Sequence, residues 1–174
     1  MQLFVSLLTG TALLGGLGYL VIGLLGRRLA WAAEIGRSVE SIALWLAFAV
    51  AFGATAGSLY FSEIANYTPC RLCWYQRIAI FPLTLTLFVA ALRNDRGVRR
   101  YVIPVSTIGF LVSAYHYLIE WYPNLEKTSC AVDAPCTAVW FRGFGFMSLA
   151  FMAGVTTLTI IILLTVRFSR PDER

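Results

Sequence analysis

The stretch that decides the fold is residues 41–61, which reads SIALWLAFAVAFGATAGSLYF. It contains no Asp, Glu, Lys, Arg or His, and about 20 mostly apolar residues are what an α-helix needs to cross a bilayer. The same test is passed by Leu3–Leu25, Trp74–Leu92, Tyr101–Trp121 and Phe144–Val166. Backbone polar groups must be paired in lipid, and these stretches are too long and too continuously apolar for barrel strands. We therefore predict five transmembrane helices.

The composition also indicates a membrane protein. Of the 174 residues, 59% are hydrophobic and 13% are charged, whereas soluble domains have about 45–50% and about 25%. A soluble domain of this size could not bury so much apolar surface, so disorder, a coiled coil and a water-soluble enzyme are excluded. The net charge of +5 does not indicate a nucleic-acid partner, because the arginines form short runs between apolar segments instead of a basic patch on a soluble scaffold.

Lys and Arg predict the orientation of the helices. Of the 14 basic residues, those that follow the first, third and fifth helices are Arg27, Arg28, Arg37, Arg93, Arg96, Arg99, Arg100, Arg167, Arg170 and Arg174. Cytoplasmic segments carry the excess of positive charge. We therefore expect a multi-pass protein of the cytoplasmic (inner) membrane, with its N-terminus outside and its C-terminus in the cytoplasm. The first helix has no basic segment before it, its apolar run is too long for a signal peptide, and no A-x-A cleavage site stands out, so we expect it to be retained and not cleaved.

The connections after residue 41 are short, which predicts that neighbouring helices pack antiparallel in an up-and-down bundle. The fold class is thus an all-α polytopic membrane protein. We expect three parts: residues 1–40 with the first helix and a basic loop, residues 41–166 with the other four helices, and a cytoplasmic tail at 167–174. Small residues on the second helix would let a neighbouring helix approach closely: Ala51, Gly53, Ala54, Ala56 and Gly57.

All four cysteines map to the predicted outer side. Cys70 and Cys73 form a C-x-x-C at the start of the third helix, and Cys130 and Cys136 lie in the second outer loop. Disulfides persist in an oxidising compartment, and four cysteines allow three pairings. One interpretation is that the four cysteines form two structural disulfides that staple the protein together. A zinc site of four thiolates is another, but one pair lies at membrane level and no outer-loop histidine assists, so we predict no metal.

The position of the C-x-x-C favours reactive cysteines. A helix N-terminus carries about half a positive charge, which favours the thiolate over the thiol, and low-pKa thiols occur in such motifs. Arg77 follows Cys73 by four residues and so shares its helix face. A guanidinium near the bilayer surface is costly unless it is paired, snorkelling or functional. Arg77 therefore either snorkels to the headgroups or stabilises an anion beside Cys73.

Residues 70–78, CRLCWYQRI, enter a membrane helix and are followed by a second outer-loop cysteine pair. This arrangement resembles the disulfide bond formation protein B family, DsbB, and in particular its BdbC-like branch. The resemblance covers about residues 41 to 166 and implies an antiparallel four-helix bundle, so the helix at Leu3–Leu25 is one extra N-terminal transmembrane helix beside the four spans of the family. The close spacing of Cys130 and Cys136 suits the BdbC-like branch.

The resemblance implies a membrane thiol:quinone oxidoreductase that reoxidises an extracytoplasmic, DsbA-like thioredoxin-fold protein. By this resemblance, Cys70 and Cys73 would be the disulfide coupled to a membrane quinone, either ubiquinone or menaquinone. The Cys73 thiolate would contact the quinone, and Arg77 matches the arginine at the quinone site. Cys130 and Cys136 would exchange with the soluble partner, with Cys130 forming the mixed disulfide. The partners expected are this protein, membrane lipid and the quinone.

The only histidine, His116, lies near the outer end of the fourth helix, with Glu120 four residues on. One interpretation is a His–Glu contact at the helix end. The other makes His116 part of the quinone site, as a proton donor or hydrogen-bond partner of a quinone oxygen, since histidine titrates near neutral pH. Gln76, Glu63, Asp133 and Arg142 form no distinctive pattern, and we expect most of them to be solvated.

Two other classes of function remain open. One is a quinone-linked enzyme that works in the opposite direction, like vitamin K epoxide reductase. There the loop cysteine pair usually precedes the C-x-x-C, whereas here it follows. The other is a non-enzymatic membrane scaffold stapled by two disulfides. The ease with which the disulfides are reduced distinguishes such a scaffold from an enzyme, because structural disulfides resist reduction by the glutathione pool and catalytic ones are labile.

Overall fold

The computed structural model describes residues 2–26, 29–126, 130 and 134–166. Over these residues the chain forms helices and no strand, which confirms the all-α prediction. The five α-helices are α1 Gln2–Leu25, α2 Ala30–Leu59, α3 Arg71–Arg93, α4 Arg99–Trp121 and α5 Leu149–Thr165. Shorter segments are a π-helical turn at Tyr60–Ile64, which continues α2, and 3-10 turns at Arg96–Val98 and Pro123–Leu125.

Four of the helices, α1 to α4, are long and apolar enough to cross a membrane. The fifth, α5, has 17 residues and spans about 25 Å at 1.5 Å per residue. We expected this segment to be helical from Phe144, and that boundary was wrong. Phe144 and Gly145 have φ values of 51° and 81°, and a turn closed by a bridge between Gly143 and Met147 precedes the helix. Because a left-handed residue cannot continue a right-handed helix, α5 begins only after Ser148, whose side chain caps it by accepting from Phe151 N.

The second helix begins earlier than its apolar stretch does. It starts at Ala30, in an alanine-rich sequence of good helix formers, so Arg37 is helical where a loop was expected. Near this end, Glu40 lies 3.6 Å from Arg96 and 3.7 Å from Arg99 at the α3–α4 turn. Salt bridges therefore connect α2 to the α3–α4 turn at the basic end of the bundle. The predicted loop residues at 27 and 28 and the tail after 166 lie outside the described residues.

The fifth helix is the centre of the bundle. It packs against α4, α2 and α1, and its side chains are buried along most of its length. The largest core cluster joins Leu87 of α3, Val102 of α4 and Ile160 of α5, all fully buried. Tyr19 of α1 belongs to the same cluster. The N-terminal helix is thus packed into the bundle and does not stand apart from it.

Glycine has two opposite uses in this packing. A Cβ at Gly109 of α4 would lie 3.1 Å from Thr157 Cγ2 and 3.2 Å from Ala79 Cβ, so glycine allows three helices to meet there. On α2 the expected close approach was wrong for Gly53 and Gly57, because no atom lies within 4 Å of a Cβ built on either residue. These two glycines border open space.

We expect a Gly109→Val substitution to destabilise the protein by about 1–3 kcal/mol, because added methyl groups overpack a close helix contact. The measurement is unfolding of the detergent-solubilised protein by heat or denaturing detergent. The matched control is Gly53→Val, which adds the same atoms to open space and should change stability by about 0.5 kcal/mol or less. Equal losses in the two variants would contradict the packing described for Gly109.

Candidate functional site

Cys70 is the residue that begins α3. Its backbone is extended, with φ −72° and ψ 173°, and its sulfur accepts a hydrogen bond from Cys73 N at 3.2 Å. It thus occupies the N-cap position, where a side-chain acceptor satisfies an otherwise unpaired backbone N–H. The C-x-x-C spacing places the cap and its donor three residues apart, so the helix start itself brings the two sulfurs together.

The structure resolves the pairing that the sequence left open. Cys130 and Cys136 form a disulfide, whereas Cys70 and Cys73 are free thiols with their sulfurs 2.7 Å apart. Cys70 and Cys136 are both buried, at 6% and 0% exposure, and belong to one apolar cluster with Leu72 and Ile119. The two cysteine pairs therefore meet at one end of the bundle.

His116 lies between the two pairs. Its Nε2 is 3.7 Å from Cys70 Sγ and 3.1 Å from the carbonyl oxygen of Cys136. Nδ1 is 3.2 Å from Gln76 Nε2, and Glu120 Oε1 is 4.0 Å from Nε2. The imidazole is 3% exposed, so each of its nitrogens has a protein partner in place of water.

Gln76 was expected to be solvated, and that expectation was wrong. It is 7% exposed and its amide faces His116 from one turn below Cys73. Glu120, which the sequence paired with His116, is also buried, with one carboxylate oxygen 4.0 Å from His116 Nε2. Arg142 stacks over Trp121 at 4.0 Å and donates to the Glu120 carbonyl. Asp133 lies outside the described residues.

The electrostatics of this site favour a thiolate on Cys70. Hydrogen bonds to its sulfur from the Cys73 thiol and, less strongly, from His116 lower the pKa of Cys70 to about 4, against the opposing effect of burial. The backbone N–H of Cys73 acts in the same direction. Because the pKa lies below neutral pH, the reduced pair carries a negative charge at pH 7 on the sulfur that caps α3.

The guanidinium of Arg77 is hydrogen-bonded to α2. Its Nε donates to Ser58 Oγ at 3.0 Å and its Nη2 to the Ser58 carbonyl at 3.1 Å, and the guanidinium lies 5.2 Å from the centre of the Trp74 ring. Nη1 has no hydrogen-bond partner among the residues that the structure describes. Sequence reasoning did not find Ser58, because nothing in a serine of an apolar helix distinguishes it before the two helices are packed.

A cavity of about 990 Å³ opens beside these groups. Cys73, Gln76 and Arg77 line one end of it, and the rest of the wall is mostly apolar and comes from α1, α2 and α5. This volume is at the upper end of the range for small-molecule sites, about 300–1,000 Å³. His116 is not among the described residues that line the cavity. Its role in cofactor binding stays a prediction.

One group of possible metal ligands includes the free thiols. The donor atoms of Cys70, Cys73 and His116 lie within 4.8 Å of one another, which is a donor set that zinc accepts. The four-thiolate site weighed from the sequence is not formed, because two of its sulfurs are bonded to each other. The predicted absence of a metal stays a prediction.

Comparison with known proteins agrees with this geometry. The model of the family described as disulfide bond formation protein DsbB matches residues 40–166. The chain belongs to the DsbB family. A probable disulfide formation protein of Oceanobacillus iheyensis is 42% identical over 132 residues, which are 75% of this chain and 90% of the relative.

Two further relatives of this DsbB-family protein have similar names. A probable disulfide formation protein of Coxiella burnetii is 38% identical over 142 residues, or 80% of this chain and 97% of the relative. Disulfide bond formation protein C of Bacillus subtilis is 41% identical over 120 residues, or 68% and 87% of the two chains. No solved structure matches. Family membership makes this chain a disulfide-forming oxidoreductase.

We expect one thiolate to titrate near pH 4 in the reduced protein, since the pKa of Cys70 is lowered. The measurement is the ultraviolet absorbance of the thiolate against pH, in a Cys130→Ser/Cys136→Ser background where only the C-x-x-C titrates. Cys73→Ala should raise the midpoint most and His116→Phe less, in the order of their effects on the Cys70 sulfur. Cys70→Ser in the same background is the control and should abolish the low-pH signal. A midpoint near the ordinary cysteine value of about 8.5 in the parent would contradict the assignment.

Proposed function

We propose that this DsbB-family protein is a thiol:quinone oxidoreductase that reoxidises an extracytoplasmic, DsbA-like thioredoxin-fold dithiol and transfers two electrons to a membrane quinone. The observation that carries the proposal is the contact of His116 with Cys70 and with Cys136, next to an apolar cavity lined by Cys73. This arrangement gives a continuous path from one cysteine pair to the other and then to the cavity. Cys130, Cys136, Cys70 and Cys73 are the proposed catalytic residues.

The first step takes place at the Cys130–Cys136 disulfide. Cys136 is fully buried, whereas Cys130 is partly exposed, so an incoming thiolate of the partner reaches Cys130. Attack forms a mixed disulfide between the partner and Cys130, and the Cys136 sulfur leaves as a thiolate. The second thiolate of the partner then breaks the mixed disulfide, which releases oxidised partner and leaves both loop cysteines reduced.

In the second step, the electron pair passes from the reduced loop cysteines to the Cys70–Cys73 pair. Cys136 belongs to the apolar cluster of Cys70, so its thiolate attacks Cys70 Sγ of an oxidised Cys70–Cys73 pair, and Cys73 leaves as the thiolate. Cys130 then attacks Cys136, which restores the loop disulfide and releases the Cys70 thiolate. Cys73 N and His116 support the charge that develops on the Cys70 sulfur. The products are a Cys130–Cys136 disulfide and two reduced cysteines, Cys70 and Cys73.

The cavity fits a quinone. Its polar end offers the Cys73 sulfur and the Arg77 guanidinium to a ring with two carbonyl oxygens, and its apolar walls suit a hydrocarbon tail. When bound, a quinone supplies a two-electron, two-proton acceptor. The Cys73 sulfur would face the ring at this end, Arg77 would offer Nη1 to an oxygen, and Ser58 holds the guanidinium in place. The protein supplies placement and charge, and the electron chemistry belongs to the cofactor.

The distribution of charge supports the proposed location in the cytoplasmic membrane. The described arginines of the α3–α4 turn lie at the end of the bundle opposite to the cysteines, because α3 begins at the cysteine pair and ends at Arg93. The positive-inside rule then puts the cysteines on the extracytoplasmic side, where a soluble dithiol partner is present. A scaffold with two structural staples fits less well, since Cys73 borders an apolar cavity that a purely structural disulfide does not need.

We expect Cys73→Ser to abolish quinone reduction while leaving exchange with the partner intact, because Cys130 and Cys136 keep their disulfide. The measurement is quinone absorbance under anaerobic conditions in the presence of a reduced thioredoxin-fold oxidase, with thiol labelling of the partner as a second readout. Cys130→Ser is the contrasting variant and should abolish both signals. Quinone turnover retained by Cys73→Ser would overturn the proposed route.

We expect Arg77→Gln to raise the apparent KM for quinone by about tenfold or more, because a hydrogen bond to a charged group contributes about 1.5–3 kcal/mol. Arg71→Gln is the matched control: Arg71 is exposed at the start of the same helix and does not line the cavity. Ser58→Ala should give a smaller increase, since it removes only one of the two bonds that hold the guanidinium. An unchanged KM in Arg77→Gln would return Arg77 to a purely anchoring role.

A further inference from the structure

The N-terminal helix lies outside the region that the family model matches, which begins at residue 40. In this protein it nevertheless forms one side of the cavity beside Cys73, along nearly its whole length from Phe4 to Ile22. We infer that α1 is part of the acceptor site and forms a wall of a channel that binds the hydrocarbon tail of a long-chain quinone. The inference rests on the proposed function and adds to it a ligand subsite that the matched four-helix domain alone does not provide.

Contacts along α1 fix its position relative to the site. At the cysteine end, Gln2 Nε2 donates to the Tyr67 hydroxyl at 2.9 Å, and the Tyr67 ring stacks on Trp140 at 4.9 Å. In the middle, Thr159 Oγ1 of α5 donates to the Ala12 carbonyl at 3.4 Å. Tyr67 and Trp140 also line the cavity, so the start of α1 is attached to the polar end of the site.

Further along, α1 is tied to the bundle by close packing. A Cβ at Gly16 would lie 3.3 Å from Thr159 Oγ1, and Tyr19 is buried in the main core cluster with a 3% exposed side chain. These contacts are on the side of α1 that faces α5. These contacts fix the position of α1 in the bundle, so the space between α1 and α2 keeps its shape.

Glycines leave part of the α1 wall of the cavity without side chains. Gly15 and Gly18 line the cavity, and no atom lies within 4 Å of a Cβ built on either one. On α2, Gly53 and Gly57 line the same cavity and border the same kind of open space. A helix pair held together by its glycines would have filled this space. Here the missing side chains leave room between the helices for an apolar chain.

The dimensions and polarity of the cavity indicate what that chain is. From Phe4 to Ile22 the α1 wall extends about 27 Å at 1.5 Å per residue, close to the full hydrocarbon thickness of a bilayer, about 30 Å. A quinone ring needs only the polar end at Cys73 and Arg77. The remaining length is lined mostly by apolar side chains and glycines, with a few threonines, which is the surface that a long isoprenoid tail would contact.

The test measures quinone binding in place of turnover. A benzoquinone with a decyl tail and the same ring without a tail are titrated into the purified protein in detergent, and quenching of tryptophan fluorescence reports binding. Gly15→Phe places a ring into the channel, whereas Gly15→Ala is the matched control at the same position. Leu14→Phe adds the ring one residue away, where the side chain is 72% exposed and does not line the cavity. Because each variant is compared with wild type in the same micelles, partition of the quinone into detergent cancels.

We expect Gly15→Phe to weaken binding of the decyl quinone by about tenfold, the loss expected when two methylene groups are displaced from apolar contact. Binding of the tail-less quinone should change by less than about twofold. Leu14→Phe should bind both quinones as wild type does, and Gly15→Ala should weaken binding of the decyl quinone less than Gly15→Phe does. Gly53→Phe, on the opposite wall, should reproduce the selective loss.

The possible outcomes separate the two proposals. If wild type binds the decyl quinone and Gly15→Phe binds it equally well, α1 does not contact the tail and the inference is overturned, while the proposed function stands. A selective loss in Gly53→Phe alone would likewise place the tail along α2 without α1. If wild type binds neither quinone, the proposed function itself fails. An equal loss for both quinones in Gly15→Phe would mean that α1 contacts the ring, which also overturns a tail-binding wall.

Discussion

The arrangement of the site depends on one buried imidazole. His116 is almost entirely enclosed in an apolar bundle, where an unsatisfied polar group is costly. Its nitrogens are satisfied only if the start of α3, the end of α4 and the loop that carries Cys136 meet at the same place. The requirement to satisfy this ring therefore brings together two cysteine pairs that are far apart in the sequence. A satisfied polar network of this kind rigidifies the structure around it.

The fold produces both a tight core and a large cavity from the same kind of residue. Where α4 meets α3 and α5, Gly109 permits contact that any side chain would disturb. Between α1 and α2, Gly15 and Gly53 border space that packing does not fill. The difference is set by α5, which packs against α4, α2 and α1 and so fixes how far the outer helices can approach one another. The presence of glycine alone does not decide between contact and cavity.

Much of the fold follows from the sequence because lipid leaves helices as the main way to satisfy the backbone. Hydropathy located all five helices and misplaced only ends, such as the start of α5, where left-handed residues break an apolar run. The cysteines, Arg77 and the His116–Glu120 neighbourhood were also recognisable. The bonds from His116 to Cys70 and from Arg77 to Ser58 were not, since they join residues 46 and 19 positions apart. Such contacts depend on how helices rotate against each other, which hydropathy does not encode.

The capping role of Cys70 has a thermodynamic consequence. A sulfur that ends the first turn of α3 interacts with the partial positive charge of the helix, and this attraction exists only when the sulfur is an anion. The helix therefore stabilises the reduced pair over the disulfide and raises its reduction potential, by about 30 mV for every 1.4 kcal/mol of stabilisation. A Cys70–Cys73 disulfide is therefore a stronger electron acceptor than an otherwise equal disulfide without this helix contact.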